Sequence, residues 1–141
     1  MKWHIRTFEF DQDYRAVHQL WRQAGAGIQL SPSDEPAEIK KKLSRDPELF
    51  LVAETNGEIV GVVLGGFDGR RGLVYHLAVA PSYRHRGVAY GLMEQLEERL
   101  RAKGCLKYYL LVAPENHDAI NFYEKIDCEM MDLKVMGKWL T

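Results

Sequence analysis

The chain has 141 residues, 46% of them hydrophobic and 28% charged, and carries a formal net charge of −1 at pH 7. This composition is typical of a soluble globular domain, and it excludes a membrane-spanning chain because no apolar run approaches the roughly 20 residues that a span needs. The near-neutral charge also argues against a nucleic-acid binder. We therefore predict a single domain over residues 1–141 with no nucleic-acid and no membrane partner. A monomer and a homodimer are both compatible with the sequence.

The first ten residues, MKWHIRTFEF, lack the continuous apolar core of a secretory signal, so we expect a cytoplasmic protein. Two cysteines, Cys105 and Cys128, are too few for a disulfide framework and do not have a metal-binding spacing. We predict that both are small buried side chains and that the protein holds no metal.

The first predicted strand covers residues 3–8, WHIRTF, in which successive side chains alternate between two faces. A helix follows, with Asp11 or Asp13 as its N-cap, because either carboxylate can accept hydrogen bonds from the first-turn N–H groups. Its apolar positions recur at helical spacing: Val17, Leu20 and Trp21.

A second helix is predicted in the stretch SPSDEPAEIKKKLSRDP. Ser33 or Asp34 is its predicted N-cap, and Ile39 and Leu43 form its buried stripe. Pro47 is predicted to end it, because proline disfavours helical geometry in the residue before it.

A β-hairpin is predicted where Asn56 and Gly57 separate LFLVAET from EIVGVVLGGF. This dipeptide supplies the positive φ angles of a two-residue turn. Gly65 and Gly66 are predicted to weaken or bulge the second strand. A third strand, LVYHLAVA, follows and ends at Pro81.

The second half of the chain predicts two further helices separated by a strand. An amphipathic helix begins after Gly87 and ends at Gly104, and CLKYYLLV is then apolar enough for a strand buried on both faces. A short helix capped by Asn116 follows, and the tail CEMMDLKVMGKWL predicts one or two closing strands. The order β-α-α-β-β-β-α-β-α-β(-β) indicates a mixed α/β domain built on a central sheet.

One short segment, RHRGVAYG at residues 84–91, predicts an anion site or an ordinary charged turn. A strand followed by a glycine turn and a helix presents free N–H groups at the positive end of the helix dipole. Arg84 and Arg86 add fork-shaped donors that match phosphate oxygens. Neither GxxxxGK[ST] nor GxGxxG is present, so the site is not that of a P-loop or a Rossmann fold.

Two motifs resemble those of the GNAT superfamily of acyl-CoA N-acyltransferases. The acyl-CoA-binding pattern [RQ]-x-x-G-x-[GA] is met by Arg84, Gly87 and Ala89, after a matching L-x-V-x-P-x-x-R that begins at Leu77. The downstream N-x-x-A-x-x-F-Y element is met by four residues: Asn116, Ala119, Phe122 and Tyr123. The order and spacing of the two motifs make the resemblance specific, and it covers essentially the whole chain.

Within that superfamily, FLVAETNGEIVGVVLGGFDGRRG looks most like the small bacterial YpeA-type acetyltransferases. One departure is Asp127-Cys128, where members usually carry Gly-Phe or Gly-Tyr; it predicts a changed turn after the last helix. The resemblance implies a GNAT-like fold, with a central, mostly antiparallel twisted sheet of about six to seven strands flanked by about four helices.

The resemblance also implies acetyl-CoA as cosubstrate. Its pyrophosphate would lie on the N–H groups of residues 85–90, and its pantetheine arm would pair with the strand backbone near Leu77, whose neighbour Val79 would polarise the thioester carbonyl. The implied cofactor-binding residues are Leu77, Val79, Arg84, His85, Arg86, Gly87, Val88, Ala89, Tyr90 and Asn116.

The implied reaction is acetyl transfer to a primary amine of a small molecule, peptide or protein. Tyr123 stands at the position of the general acid, although by itself it reads as an aromatic packed beside Phe122. His76 is a candidate general base because histidine titrates near neutral pH; a half-buried strand histidine and water-mediated deprotonation are the alternatives. A non-catalytic acyl-CoA-binding or sensing module remains the alternative function.

The early helices are expected to wall the acceptor site in such a fold. Trp21, Leu30 and residues 31–36 are the candidates in this sequence. Asp34 and Glu35 would attract a cationic amine there, but helix capping explains both without any substrate.

Overall fold

The structure is a computed structural model that describes residues 2–141, the side chain of Ala26 excepted. It falls into two compact units, one that ends at Leu111 and a second over Val112–Thr141. The regular elements, in chain order, are β1 (His4–Thr7), α1 (Phe10–Gln23), α2 (Pro36–Leu43), β2 (Phe50–Thr55), β3 (Glu58–Phe67), β4 (Gly72–Val79), α3 (Val88–Ala102), β5 (Tyr108–Leu110) and α4 (His117–Lys125).

The five strands form one sheet in the order β1-β2-β3-β4-β5, antiparallel except for the parallel pair β4 and β5. The predicted mixed α/β class, the mostly antiparallel sheet and the four α-helices are confirmed. The strand count was too high, because no strand is assigned within residues 127–141 of the described chain. Alternating apolar side chains define a face, but a strand also needs a neighbouring edge with which to pair.

The β2–β3 hairpin is confirmed at its turn. Asn56 and Gly57 have φ angles of 51° and 76°, as a two-residue turn with positive φ at both positions requires. No register shift falls at Gly65 or Gly66, so the predicted bulge was misplaced.

The glycines of β3 instead admit α3 close to the sheet. A Cβ atom on Gly61 would lie 2.7 Å from Val88 Cγ1, and one on Gly65 would lie 2.7 Å from Leu96 Cδ1. The intervening Val62 and Leu64 point to the opposite face, into the core beneath α1 and α2. Helices therefore cover both faces of the sheet.

Both early helices begin at residues other than those predicted. Glu9 is the N-cap of α1, and the side chain of Asp13 is buried where it accepts the Glu9 N–H at 2.8 Å. Glu35 is the N-cap of α2 and makes no side-chain capping bond. Asp34 instead closes the preceding 3₁₀ turn with Ser31. The predicted caps were wrong because these aspartates bind other partners.

The later elements agree with the sequence only in part. Gly104 lies just past α3 with φ 86°, as a helix end requires. β5 is shorter than predicted and half-buried on both faces, because it pairs with β4 alone, over three residues. Cys105 and Cys128 are partly exposed, so the prediction that both are buried was wrong. Among residues 2–141, no helix is long and apolar enough to cross a membrane.

Candidate active site

The first component of the site is the far end of β4. Its pairing with β5 covers only Gly72 to Val74. Farther along, the Ala80 N–H donates to Val60 O at 2.8 Å and so faces β3. Because N–H groups alternate between the two edges of a strand, those of Leu77 and Val79 point to the other edge. Two backbone donors thus lie on the β5 side of β4, beyond the residues with which β5 pairs.

The second component is the turn between β4 and α3. His85 and Gly87 have φ angles of 62° and 83°, and Gly87 is the N-cap of the helix. The first helical hydrogen bond runs from Gly91 N–H to Gly87 O at 2.9 Å. The N–H groups of residues 88–90 therefore have no acceptor within the helix and lie at its positive end.

Two arginines flank these donors. Arg84 Nε donates to Val79 O at 3.2 Å, which places its guanidinium over the same edge of β4. The guanidinium of Arg86 lies 5.5 Å from the ring centroid of Tyr83. Both arginines, like His85 and Gly87, are exposed. The structure thus brings together Leu77, Val79 and residues 84–90.

The third component is His76, at a β-bulge in β4. Leu64 of β3 pairs with Tyr75 and Val62 with Ala78, so Val63 faces both His76 and Leu77. Such a bulge bends the strand and redirects its side chains. His76 takes the left-handed φ of 48°, uncommon for a residue with a side chain. Its ring is therefore aimed differently from that of a regular strand residue.

The His76 ring meets two groups from the α1–α2 region. Its Nε2 lies 2.9 Å from Oδ1 of Asp34, whose side chain is 7% exposed. The Trp21 ring lies 5.1 Å away, and the Trp21 indole N–H donates to the His76 carbonyl at 3.2 Å. Sequence reasoning missed the Asp34 contact, because the two residues are 42 positions apart and no pattern in the chain links them.

Asp34 accepts two hydrogen bonds besides its contact with His76. The Ser31 N–H donates to its Oδ2 at 3.0 Å, and the Tyr14 hydroxyl donates to its backbone oxygen at 2.8 Å. Burial alone would raise the pKa of Asp34, but the hydrogen bond and charge of His76, the Ser31 N–H and the charge of His18 together lower it. Asp34 is therefore ionised at neutral pH.

Two further predicted residues lie in the second unit. Asn116 Oδ1 accepts the Ala119 N–H at 3.3 Å, which confirms that Asn116 caps α4. Burial, and secondarily the charge of Cys128, raise the pKa of Tyr123 well above its ordinary value, so its phenol stays protonated at neutral pH. Tyr123 also keeps its packing beside Phe122, at 5.2 Å between ring centroids.

The departure at Asp127 has a structural counterpart. Asp127 has φ 74°, a conformation that glycine adopts without strain and that aspartate tolerates better than most residues. The turn that the usual glycine would make is thus still formed after α4. Within residues 2–141, no group of three or more His, Cys, Asp or Glu side chains is arranged to hold a metal ion.

Comparison with known proteins agrees with this geometry. The profile of the acetyltransferase (GNAT) family matches residues 4–127. An acetyltransferase of Pectobacterium atrosepticum is 47% identical over 96% of this chain and 94% of its own length.

Solved structures show the same fold. Ard1 from Thermoplasma volcanium superposes with a TM-score of 0.79 at 24% identity, over 90% of this chain and 82% of its own. Glucosamine-6-phosphate N-acetyltransferase from Arabidopsis thaliana gives a TM-score of 0.75 at 19% identity, over 100% of both chains. With the family profile and the close bacterial relative, these likenesses show that the chain belongs to the acetyltransferase (GNAT) family and is an acyltransferase.

Proposed function

We propose that the protein transfers an acetyl group from acetyl-CoA to a primary amine by direct attack, with both substrates bound together. The observation that carries the proposal is the juxtaposition of the Leu77 and Val79 N–H groups with the cationic N-terminus of α3. A pyrophosphate needs N–H donors and positive charge, and a pantetheine arm needs an open strand edge. Residues 77–90 of this chain offer all three.

The residues at this place fit the donor. A Cβ atom added to Gly87 would meet only Trp3, at 3.9 Å, so the backbone at Gly87 is open to a ligand on that side. Arg84 and Arg86 would hold the pyrophosphate together with the N–H groups of residues 85–90. The strand edge at Leu77 would pair with the pantetheine amides. When bound, acetyl-CoA supplies the activated acetyl thioester.

Three groups of the chain then serve the transfer. The amine nitrogen bonds to the acetyl carbon, the carbon–sulfur bond breaks, one proton leaves the amine and one reaches the sulfur. The Val79 N–H stabilises the negative charge that develops on the carbonyl oxygen. His76 accepts the proton of the amine, and the neutral phenol of Tyr123 donates one to the departing sulfur.

The test is turnover with a panel of acceptors: small primary amines, polyamines, a peptide with a free N-terminus and an N-blocked lysine peptide. We expect release of free CoA thiol that requires a free amine, with an equal amount of acetylated acceptor by mass spectrometry. The N-acetylated form of each acceptor is the matched control. Binding of acetyl-CoA without acetylated product from any acceptor would instead support a non-catalytic acyl-CoA-binding module.

A further inference from the structure

We propose that Asp34 is a positioning residue that holds the neutral His76 ring in its Nε2–H tautomer, so that Nδ1 is the atom that accepts the amine proton. The inference rests on the proposed function for the role of His76. It adds a residue from the α1–α2 connection to the site and assigns the two ring nitrogens different tasks.

The bulge and a hydrogen bond from Trp21 fix the backbone of His76. The residue occupies the bulge of β4 with φ 48°, a left-handed conformation that is strained for a residue other than glycine. The Trp21 indole N–H binds the His76 carbonyl at 3.2 Å, and the fully buried Trp21 ring packs against the imidazole. A strained conformation that persists under such contacts is typical of a functional position.

The tautomer follows from the protonation state of Asp34. An ionised carboxylate can only accept hydrogen bonds, so the hydrogen in the 2.9 Å contact with Oδ1 lies on Nε2 of His76. In a neutral imidazole that carries its hydrogen on Nε2, the other nitrogen is a bare acceptor. The His76 side chain is 19% exposed, which leaves part of the ring accessible.

Asp34 is built to keep this orientation. Its second carboxylate oxygen accepts the Ser31 N–H, and its backbone oxygen accepts the Tyr14 hydroxyl. A carboxylate with so little freedom constrains the direction of the imidazole that it binds. Protonation at Nδ1 creates an imidazolium, and the adjacent negative charge stabilises it without itself taking the proton.

The titratable groups around His76 and its partner Asp34 come from three places. Asp34 lies in the α1–α2 connection, Tyr14 and His18 lie on α1, and Tyr75 is its neighbour in β4 with ring centroids 6.5 Å apart. Burial and the charge of Asp46 raise the pKa of Tyr75, so this phenol is neutral near pH 7. Among these groups, Asp34 supplies the negative charge.

The first test needs no activity. Nitrogen-15 NMR of the histidine rings in the wild-type protein, with His76→Gln for assignment, reports which ring nitrogen carries hydrogen at a pH where His76 is neutral. We expect hydrogen on Nε2 and a bare Nδ1. In Asp34→Asn, whose amide can donate to the ring, we expect the Nε2–H population to fall. A wild-type ring with hydrogen on Nδ1 would overturn the inference.

The second test is the pH dependence of turnover with an acceptor from the panel. In Asp34→Asn we expect kcat to fall by about tenfold or more, because a general base contributes about 10²–10⁴ when correctly placed. Loss of the carboxylate makes the imidazolium less favourable, so the acidic limb should move to lower pH. The KM for acetyl-CoA should not change, and Asp34→Glu should restore part of kcat.

Two variants separate positioning from structure. Glu58→Gln removes an exposed carboxylate at the β2–β3 turn, outside the proposed site, and should leave the pH profile unchanged. Ser31→Ala removes the 3.2 Å cap of the Ser33 N–H and keeps the Asp34–His76 contact, so it should lower the melting temperature without moving the acidic limb. A shared pH shift in Ser31→Ala and Asp34→Asn would overturn the positioning role. Absent turnover in a wild-type protein with the Nε2–H tautomer would contradict the proposed function alone.

Discussion

Tyr123 is the residue that we propose as the general acid. Its raised pKa keeps the phenol neutral at the pH at which an amine attacks. We predict that Tyr123→Phe lowers kcat by about 10²-fold, the contribution of one general acid, and leaves the dissociation constant for acetyl-CoA unchanged. Steady-state kinetics and calorimetry check the two quantities separately.

The control for this prediction is Tyr108→Phe, which removes a hydroxyl that bonds Glu97 at 2.7 Å in the first unit. It should leave kcat unchanged. Full kcat in Tyr123→Phe would exclude this residue as the acid.

Arg6 and Asp13 form a charged contact that links β1 to α1. Two guanidinium nitrogens of Arg6 bond the two Asp13 oxygens at 2.7 and 2.9 Å, and Asp13 is buried. Burial alone would raise the pKa of Asp13, but the hydrogen bond from Arg6 and the Glu9 N–H lower it. We predict that Asp13→Asn lowers the free energy of unfolding at pH 7 by about 2 kcal/mol.

The lowered pKa of Asp13 determines how this loss of stability depends on pH. A carboxylate whose pKa is lowered by folding contributes stability above its unfolded pKa, and that stability disappears as pH falls through the folded value. Urea unfolding at pH 7 and at progressively lower pH should therefore show the difference between wild type and Asp13→Asn shrinking. A difference that stays constant down to pH 3 would contradict the assignment.

The sequence could identify individual residues better than their partners. His76 is a candidate base because histidine titrates near neutral pH, and Asn116 was correctly predicted to cap a helix. The Asp34 contact depends on a bulge and on the path of the α1–α2 connection, and neither has a periodic signal. The same holds for Asp13, whose buried ion pair with Arg6 replaced the predicted helix cap.

At the scale of elements, the packing of α3 on β3 depends on small residues in the strand. A Cβ atom on Gly65 would lie 2.7 Å from Leu96 Cδ1 and 3.2 Å from the backbone oxygen of Leu49. We predict that Gly65→Ala lowers the free energy of unfolding by about 1–3 kcal/mol, the usual cost of overpacking. Denaturant unfolding monitored by circular dichroism checks it.

The neighbouring glycine is the matched control. A Cβ atom on Gly66 would meet Lys42 Nζ at 3.5 Å and Tyr75 Cε2 at 3.8 Å, which are ordinary contacts. Gly66→Ala should therefore be neutral or slightly stabilising, because alanine has less backbone entropy to lose on folding. Equal destabilisation by the two substitutions would show that strand conformation, and not contact with α3, explains the glycines.

Elements with a local physical cause were predicted correctly. The Asn56-Gly57 turn, the apolar stripe of α3 and the Asn116 cap are encoded within a few neighbouring residues. The closing strands and the length of β5 were wrong, because strand pairing depends on distant edges. The bulge predicted at Gly65 was wrong for the same reason. The space that a side chain at Gly65 would fill is taken by Leu96, which lies on another element.

For the molecule as a whole, family membership and acyltransferase activity follow from agreement between motif order, sheet topology and close relatives. The two GNAT-like motifs could be recognised in the sequence because each lies at the start of a helix. The backbone geometry there favours particular residue types. The acceptor leaves no comparable trace, because side chains from separate loops build such a pocket. The proposed acyl-CoA site at residues 77–90 is therefore the part of the proposed function that a single measurement tests most directly.

The most direct test of the proposed acyl-CoA site is calorimetric titration of acetyl-CoA against wild type, Arg84→Glu and Arg70→Glu. Arg84 lies over the edge of β4 beside the α3 N-terminus, whereas Arg70 lies in the turn before β4, and both are exposed. The two reversals change the net charge equally. We predict that Arg84→Glu raises the dissociation constant at least about tenfold, a loss of about 1.4 kcal/mol of binding free energy. Arg70→Glu should change it little. Equal affinity in all three proteins would contradict the assignment of the acyl-CoA site.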